Sequence, residues 1–280
     1  MILIDMNQIA LANLMMNLKM NGSKTVDESM VRHMILNSIR MYRKEHHSEY
    51  GEVVLTWDSK HSWRRDYYPE YKASRRKGRE ESSLNWDDIF GTLNKIRNEI
   101  KENFPYKYLE VFGAEADDII GILCQENRDE KIMIISGDKD FIQLQKYPNV
   151  TQWSPITKKQ VNGFDPTIYL KEHILKGDTS DGVPNVLSPD NTFTDGLRQR
   201  PLTRKKIQSW LVGGGSDWND EVKRNFQRNL TLIDLTQTPE ELKNQIRLEY
   251  NNAPHGDRSK LLNYFMQNKL KELTENIGEF

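Results

Sequence analysis

The sequence contains very little cysteine, since Cys124 is the single one in 280 residues. One cysteine excludes an internal disulfide framework and a cysteine-rich zinc site. Such a low count is typical of proteins kept in a reducing compartment, and it predicts a cytoplasmic location.

Long hydrophobic runs are also missing, because no stretch reaches the roughly 20 apolar residues that a membrane-spanning helix needs. The apolar N-terminus, residues 1–18, is interrupted by Asp5, Asn7, Gln8 and Asn13, and it has neither a basic leader nor a clear cleavage site. We expect it to form a buried strand that runs into a helix rather than a signal peptide, and we expect no membrane partner.

The sequence also lacks a large net charge of either sign. Lys and Arg total 40 against 41 Asp and Glu, which gives a formal charge of −1. This balance argues against a generic basic coat for nucleic acid and against an acidic tail protein. The 36% of hydrophobic residues, arranged in short runs, predicts a globular chain with one large domain or two unequal ones.

Short apolar runs alternate with longer amphipathic stretches in the first part of the chain. The candidate strands are Ile2–Ile4, Val53–Trp57, Tyr106–Phe112, Ile132–Ile135 and Val150–Trp153. The candidate helices between them are Gln8–Met20, Glu28–Glu45, Trp86–Asn103 and Ala116–Asn127. Nearly continuous apolar strands that alternate with helices predict an α/β fold, with a mostly parallel central sheet wrapped by helices.

Beyond about residue 165 the strand signals stop, and the amphipathic segments have helical periodicity. These segments are Pro166–Leu175, Arg204–Val212, Glu240–Tyr250 and Ser259–Leu273. We therefore predict an α/β core over residues 1–164 and a helical region over residues 165–280.

Acidic residues follow several of the predicted strands at the point where each strand ends. They are Asp5, Asp58, Glu115, Asp117, Asp118, Asp138 and Asp140. The carboxyl edge of the strands is where open α/β sheets bind ligands, so this fold would bring the acids to one edge.

Two interpretations of these acids are open. Any single Asp after a strand is commonly a helix N-cap, and acids in a first helical turn suit the helix dipole. As a set, however, the carboxylates would repel each other and raise each other's pKa unless cations neutralised them. Hard ions such as Mg²⁺ or Mn²⁺ fit, because no His or Cys cluster accompanies the acids. Metal-dependent phosphoryl chemistry is therefore the sharper hypothesis.

A basic and aromatic segment follows directly after Asp58. Residues 60–79 hold eight basic side chains against two acidic ones, with one Trp and three Tyr between them. Cations for phosphates and aromatic rings for bases are typical of proteins that bind single-stranded ends. The alternative is a solvated basic helix whose tyrosines pack on the body of the protein.

A helix and a tight loop are predicted over residues 170–186. Gly177 ends the helix, and Asp178 and Asp181 lie in the loop. Backbone amides in such a loop can hold a phosphate, although an ordinary helical hairpin has the same pattern.

Six motifs in this order resemble the flap endonuclease, or structure-specific 5′-nuclease, family. They are Leu3-Ile-Asp5, Trp57-Asp58, Tyr71-Lys-Ala-Ser-Arg75, Glu115-Ala-Asp-Asp118, Ser136-Gly-Asp-Lys-Asp140 and Leu175-Lys-Gly-Asp-Thr-Ser-Asp181. Other segments resemble the branch of the family represented by the ribonuclease H of T-even-type phages. Among these segments are Val31–Ile39, Lys146–Pro155, Asn229–Leu235 and Ile277–Phe280.

The resemblance implies a role for each matching position. The tighter of two metal sites would be formed by Asp5, Asp58, Glu115, Asp117 and Asp138. The second, looser site would be formed by Asp140, Asp178 and Asp181. Contacts to the scissile phosphate and the 5′ end, from a bridge or arch over about residues 59–84, would come from Arg64, Lys72 and Arg75. Further contacts to nucleic acid would come from Arg65, Tyr71, Arg76, Lys77 and Gly177.

The loop that begins at Gly177 would grip the backbone of a duplex and bind a potassium ion (K⁺). Family members often continue this loop with Asn-Ile-Pro-Gly, whereas this chain has Gly182-Val-Pro-Asn185. We expect Lys205 and Lys206 to replace part of the grip, unless they form a solvated helix face.

The resemblance implies a 5′-to-3′ exonuclease and flap endonuclease with two Mg²⁺, for which Mn²⁺ can substitute. Its substrates would be RNA primers in RNA/DNA hybrids and the DNA 5′ ends of branched or nicked duplexes, and its products would carry a 5′-phosphate. A single-stranded-DNA-binding protein and a sliding clamp are implied as partners of a monomer, in the host cytoplasm if a phage encodes the chain. Two alternatives are a PIN-type ribonuclease for single strands and a non-catalytic binder of branched DNA.

Overall fold

A six-stranded sheet forms the centre of the first 160 residues. The computed structural model describes residues 1–22 and 24–280. The strands are β1 Ile2–Asp5, β2 Val53–Thr56, β3 Lys107–Leu109, β4 Ile132–Ile135, β5 Val150–Ser154 and β6 Lys159–Gln160. Strands β1 to β5 run parallel in the order β3-β2-β1-β4-β5, and β6 is added antiparallel to β5. The predicted mostly parallel sheet is confirmed.

Helices cover both faces of this sheet and are the main regular structure of the second part of the chain. Those of the first part are α1 Met6–Asn21, α2 Glu28–Tyr50, α3 Trp63–Tyr67, α4 Ala73–Glu80, α5 Trp86–Asn103 and α6 Ala116–Glu126. Those of the second part are α7 Pro166–Lys176, α8 Arg204–Gly213, α9 Asp220–Ile233, α10 Glu240–Asn252, α11 Leu261–Gln267 and α12 Lys271–Glu275. Short 3₁₀ segments lie at Lys139–Lys146, Asp190–Thr192, Leu235–Gln237 and Ile277–Glu279.

The successive apolar side chains of β1 enter two different cores. Ile2 and Ile4 of β1 face the core that is built with α1, α2 and α5. Leu3, between them, faces the opposite core, which includes residues of α6 and α10. The alternation of period two thus buries β1 on both faces, as a central parallel strand requires.

Three differences from the predicted elements have local causes. The strand predicted over residues 106–112 is only three residues long, because the backbone turns away toward Gly113, which has φ of +87°. The helix predicted over residues 259–273 is two helices, separated where Lys269 takes φ of +56°. The prediction also missed α9, which Asn219 caps by accepting a hydrogen bond from the backbone N–H of Val222.

The end of the chain returns to the sheet. Phe265 and Phe280 are buried in the same core as Ile2 and Ile4. The division between residues 164 and 165 therefore separates an α/β part from a helical part. The last helices nevertheless pack in the same core as the first strand. That this division is a domain boundary stays a prediction. Within residues 1–22 and 24–280, no helix combines the length and apolar character that crossing a membrane requires.

Candidate active site

The chain order across the sheet reverses at β1, which lies between β2 and β4. Such a switch point leaves a crevice at the carboxyl ends of the strands, and ligands of α/β proteins bind there. Asp5 ends β1, Asp58 follows β2, and Asp138 follows β4. The topology therefore places three carboxylates around one crevice.

Each of these aspartates also supports the local backbone. Oδ1 of Asp5 accepts a hydrogen bond from the backbone N–H of Gln8 at 3.2 Å, and its Oδ2 accepts one from the Ser136 hydroxyl at 3.0 Å. Oδ1 of Asp58 accepts from the N–H of Ala116 at 2.8 Å, at the start of α6. The helix-capping interpretation is thus correct in part, and the caps hold the carboxylates in place at the crevice.

The crevice opens into a cavity of about 890 Å³. Its acidic wall is formed by Asp5, Asp58, Asp117, Asp138 and Asp181. The same cavity is lined by basic residues, which are Lys60, Arg65, Lys72, Arg75 and Arg79. Acids from five separate segments thus meet beside the basic segment that the sequence places after Asp58.

Four carboxylates of this cavity, those of Asp5, Asp58, Asp117 and Asp138, have raised pKa values. Burial, and then the charge of Asp58, raises the pKa of Asp5 to about 7. Burial and the charge of Asp138 raise the pKa of Asp117 well above its usual range. Burial also raises the pKa values of Asp58 and Asp138. Such a cluster is costly to ionise without a cation, and an all-oxygen donor set fits a hard divalent ion.

Glu115 differs from these acids because it is neutralised inside the protein. Lys72 Nζ lies 2.6 Å from its Oε1, and the Tyr71 hydroxyl lies 2.8 Å from its Oε2. Burial acts to raise the pKa of Glu115, but the charges of Lys72 and Arg64 outweigh it and hold that pKa below its usual range. Glu115 is therefore a carboxylate kept ionised by the basic segment.

A second cavity, of about 540 Å³, lies beside the first and shares Asp138 with it. Asp140, Asp178 and His173 line it, with one potential ligand atom of each within 4.8 Å of the others. His173 Nδ1 is 3.3 Å from Asp140 Oδ1, and its Nε2 is 3.5 Å from Asp178 Oδ2. Burial and the charge of Asp138 raise the pKa of Asp140 to about 8. These donors also fit a divalent cation.

His173 was missed by the sequence prediction. It lies in the last turn of α7, five residues before Asp178, and it faces Asp140 because α7 packs against the 3₁₀ segment Lys139–Lys146. The signal available in the sequence was a histidine one turn before the acidic loop. A lone histidine at that spacing is too common to select on sequence alone.

The bridge predicted over residues 59–84 rests on the loop after α7. The backbone N–H of Lys72 donates to the carbonyl of Asp181 at 2.7 Å, and Arg75 Nε donates to the carbonyl of Ser180 at 3.2 Å. Arg75 also forms an ion pair with Asp181 at 2.5 Å. These contacts hold Lys72 and Arg75 over the acidic wall.

Two predicted contacts to nucleic acid are corrected, because the side chains are buried. Arg64 is 2% exposed, and its guanidinium donates to the Asp118 carboxylate and the Leu232 carbonyl, each at 2.9 Å. Tyr71 is 3% exposed and packs with Tyr68 in the core between the bridge and α7. Neither side chain is free to meet a phosphate or a base. Both position the bridge instead. The alternative of tyrosines that pack on the body anticipated this for Tyr71, whereas the burial of Arg64 differs from the solvated basic face that it predicted.

The remaining predicted residues lie on the surface or shape the loop. Arg65 lines the first cavity. Arg76 and Lys77 are exposed on α4, and Lys205 and Lys206 are exposed in the first turn of α8. Gly177 ends α7 with φ of +69°, and a Cβ there would lie 2.3 Å from the carbonyl oxygen of Val183. The loop therefore requires glycine at this position.

An aromatic wall of the first cavity was also missed. Trp86 and Phe90, one helical turn apart on α5, line the cavity together with Arg97. Their ring centroids are 5.6 Å apart. Their spacing in the sequence is that of an ordinary core face, so the cavity is visible only in the folded chain.

A parallel sheet with carboxylates at its switch point and a basic bridge above them defines the class of hydrolases that cleave phosphodiesters with divalent metals. The family described as 5′-3′ exonuclease, N-terminal resolvase-like domain, matches residues 1–173, and the one described as T4 RNase H, C terminal, matches residues 165–280. The chain therefore belongs to the 5′-3′ exonuclease family, as its motifs predicted.

Individual relatives are consistent with this family. Ribonuclease H of Enterobacteria phage T4 is 36% identical over 296 residues, covering 99% of this chain and 95% of that protein. Flap endonuclease Xni of Shewanella sp. (strain MR-4) is 28% identical over 145 residues, covering 48% of this chain and 52% of that protein. Among solved structures, T5 5′-exonuclease with bound divalent metal ions (zinc) has a TM-score of 0.63 at 15% identity, covering 90% of this chain and 98% of that one. This last similarity is one of fold.

Proposed function

We propose that the protein is a 5′-nuclease that removes RNA primers from RNA/DNA hybrids and trims DNA 5′ flaps during replication or repair. The observation that carries this proposal is the cavity in which Asp5, Asp58, Asp117 and Asp138 face Lys72 and the other bridge cations. The names of the relatives, ribonuclease H and flap endonuclease, agree with it.

The two groups of carboxylates suggest two Mg²⁺, for which Mn²⁺ can substitute. The first ion would be held by Asp5, Asp58, Glu115, Asp117 and Asp138. The second would be held by Asp140 and Asp178, which line the second cavity, and by Asp181, which lines the first. We add His173 to this set. When bound, such ions activate water and stabilise the charge that develops on a phosphodiester.

The residues of the bridge would act on the scissile phosphate. Lys72 is 12% exposed at its side chain, and its ammonium lies within 3.6 Å of both Glu115 and Asp181. Burial acts to lower its pKa, but the charges of Asp181 and Glu115 raise that pKa above its usual value, so Lys72 stays a cation at neutral pH. A fixed cation at this place stabilises negative charge on the phosphate in the transition state.

Other residues that line the first cavity would orient the substrate without distinguishing its base sequence. Arg75 and Arg65 supply charge for neighbouring phosphates, and the rings of Trp86 and Phe90 supply a surface on which an unpaired base can pack. The loop at Gly177, with a bound K⁺, and the exposed Lys205 and Lys206 would contact the duplex part of the substrate.

The experiment is a comparison of three 5′-labelled substrates: an RNA/DNA hybrid, a DNA duplex with a 5′ flap, and an unstructured RNA. We expect Mg²⁺-dependent cleavage of the first two into short products with a 5′-phosphate, and little cleavage of the third. Preferential cleavage of unstructured RNA would support the PIN-type alternative. Binding of the flap duplex without any cleavage would support the non-catalytic alternative.

The cellular setting is also a proposal. We infer that the protein acts as a monomer in the cytoplasm, that of the bacterial host if a phage encodes it, beside a single-stranded-DNA-binding protein and a sliding clamp. The relationship to a phage ribonuclease H supports this inference. Size-exclusion chromatography with light scattering, alone and with each purified partner, tests it.

A further inference from the structure

A third cavity lies at the opposite edge of the sheet from the acids. It has a volume of about 380 Å³, which is in the range of small-molecule sites. Its floor is made by the beginnings of three strands, at Met1, Val53 and Lys107, and its rim by the exposed residues His255, Gly256 and Arg258. The nuclease cavities lie where the same strands end, so this cavity is separate from them.

Unneutralised cations line this cavity. Lys107 Nζ donates to the carbonyl of Tyr250 at 2.6 Å, and Arg258 donates to the carbonyl of Ile277 at 2.9 Å. Neither side chain forms an ion pair with a carboxylate in residues 1–22 and 24–280. The two acidic side chains of the cavity are already engaged, because Glu130 pairs with the α-amino group of Met1 at 3.1 Å and Glu52 pairs with His47 at 2.8 Å. Glu52 also pairs with Nη2 of Arg43 at 3.7 Å, so Arg43 is partly neutralised and only its Nε is without a partner.

A buried hydroxyl faces the same space. Tyr106 is 5% exposed, and its hydroxyl has no hydrogen-bond partner in the described part of the chain. Tyr106 lines the cavity together with Arg43, Arg258 and Glu52. Nε of Arg43 is also buried without a partner. Unsatisfied buried polar groups are rare in native proteins, and each one calls for an explanation.

The polar groups just described, on Tyr106, Arg43, Lys107 and Arg258, are all hydrogen-bond donors. A phenol O–H, a guanidinium N–H and an ammonium are donors, and the acidic side chains of the cavity, Glu52 and Glu130, are already paired. The group that would complete the site is therefore an acceptor with negative charge. The lining also contains apolar side chains, among them those of Val53, Pro105 and Phe280. A space of this size accommodates a compact molecule.

We propose that this cavity binds a small molecule that carries a phosphate monoester or a carboxylate on an apolar or aromatic body. The acid would accept hydrogen bonds from Tyr106 and Arg43 and pair with Lys107 and Arg258. Its body would pack against Val53 and Phe280. The proposal is independent of the nuclease assignment, because it uses no residue of the acidic centre.

Isothermal titration calorimetry on the full chain, in EDTA so that no divalent metal recruits phosphate, tests this proposal. The probes are phenyl phosphate, benzoate and inorganic phosphate. We expect phenyl phosphate or benzoate to bind more tightly than inorganic phosphate, which lacks the apolar body, and the tighter of the two identifies the preferred acid. Absence of binding by all three at millimolar concentration would overturn the proposal.

Two variants locate the site. Tyr106→Phe removes only the unpartnered hydroxyl, so the ligand-free variant should be as stable as the wild type or slightly more so, while affinity falls about threefold. Lys107→Gln should weaken binding about tenfold, and the exposed Lys171→Gln on α7 is the matched control. Lys72→Met, in the nuclease cavity, should bind the probes as the wild type does. Unchanged affinity in both Tyr106→Phe and Lys107→Gln would overturn the proposal even if a probe binds.

Discussion

Lys72 Nζ lies 2.6 Å from Oε1 of Glu115, and this pair joins the basic bridge to the first turn of the helix that carries the acidic centre. The Lys72 backbone is in the left-handed region, with φ of +56°, and its N–H is held by the carbonyl of Asp181. A lysine in this conformation is uncommon, and such strain persists where surrounding contacts fix it. The bridge, the acids and the loop after α7 therefore form one connected unit.

The first prediction concerns this lysine. Lys72→Met should lower kcat on a 5′-flap duplex by about 10²–10³-fold, because removal of a fixed charge-stabilising donor has effects of that size. Steady-state cleavage rates measure it. Lys131→Met, at an exposed lysine outside the cavities, is the matched control and should cut at the wild-type rate. Equal rates for both variants would show that Lys72 only supports the fold.

The second prediction concerns Asp138, which lines both acidic cavities. Asp138→Asn should abolish Mg²⁺-dependent cleavage, since it removes a charge shared by the two groups of carboxylates. Binding of a flap duplex in Ca²⁺ or EDTA should be unchanged or tighter, because less negative charge faces the phosphates. Fluorescence anisotropy and product gels measure the two properties. Asp129→Asn, in an exposed loop, should change neither, and cleavage by Asp138→Asn at the wild-type rate would refute the metal assignment.

The sequence was sufficient for the strand-end carboxylates, because Asp5, Asp58 and Asp138 are fixed at one edge by the parallel topology alone. It was not sufficient for Arg64 or His173. A run of charged residues in a sequence predicts a solvated surface. Only the folded structure shows that Arg64 pairs with Asp118 on α6. The position of His173 depends on how α7 packs on the segment after β4, and such tertiary packing has no periodic signature in the sequence.

The burial of Arg64 leads to the third prediction. Arg64→Gln should lower the free energy of unfolding by about 3–5 kcal/mol, because Asp118 would keep a buried charge without its cation. Arg65→Gln, at the exposed neighbour that lines the cavity, should change stability by less than about 0.5 kcal/mol while weakening DNA binding. Urea denaturation and anisotropy separate the two effects. A phosphate contact by Arg64 would instead appear as weaker DNA binding with unchanged stability.

The fourth prediction is a pH dependence of the metal-free protein. The pKa values of Asp5, about 7, and Asp140, about 8, are above the ordinary value of 3.8. Between pH 5.5 and 8 the folded state therefore binds more protons than the unfolded state, so stability in EDTA should fall as the pH rises. Mg²⁺ should raise Tm more at pH 8 than at pH 5.5, because the ionised carboxylates bind it.

Thermal denaturation at several pH values measures this effect. Asp140→Asn removes one of the two groups, so its Tm in EDTA should depend less on pH and exceed that of the wild type at pH 8. A Tm of the metal-free wild type that rises steadily from pH 5.5 to pH 8 would contradict the raised pKa values.

The last prediction concerns the loop after α7 and separates two causes of strain. Gly177 and Gly163 both have positive φ, +69° and +83°, but only at Gly177 would a Cβ meet backbone, 2.3 Å from the Val183 oxygen and 2.5 Å from the Pro184 oxygen. Gly163→Ala should cost about 1 kcal/mol from the backbone conformation alone. Gly177→Ala should cost at least about 2 kcal/mol more, since the loop must open to accept the methyl group. Because Asp178 and Asp181 follow Gly177, the same variant should lose cleavage activity, whereas Gly163→Ala should keep it. Equal losses of stability in the two variants, measured by urea denaturation, would mean that the loop yields freely and that its closed form does not depend on glycine.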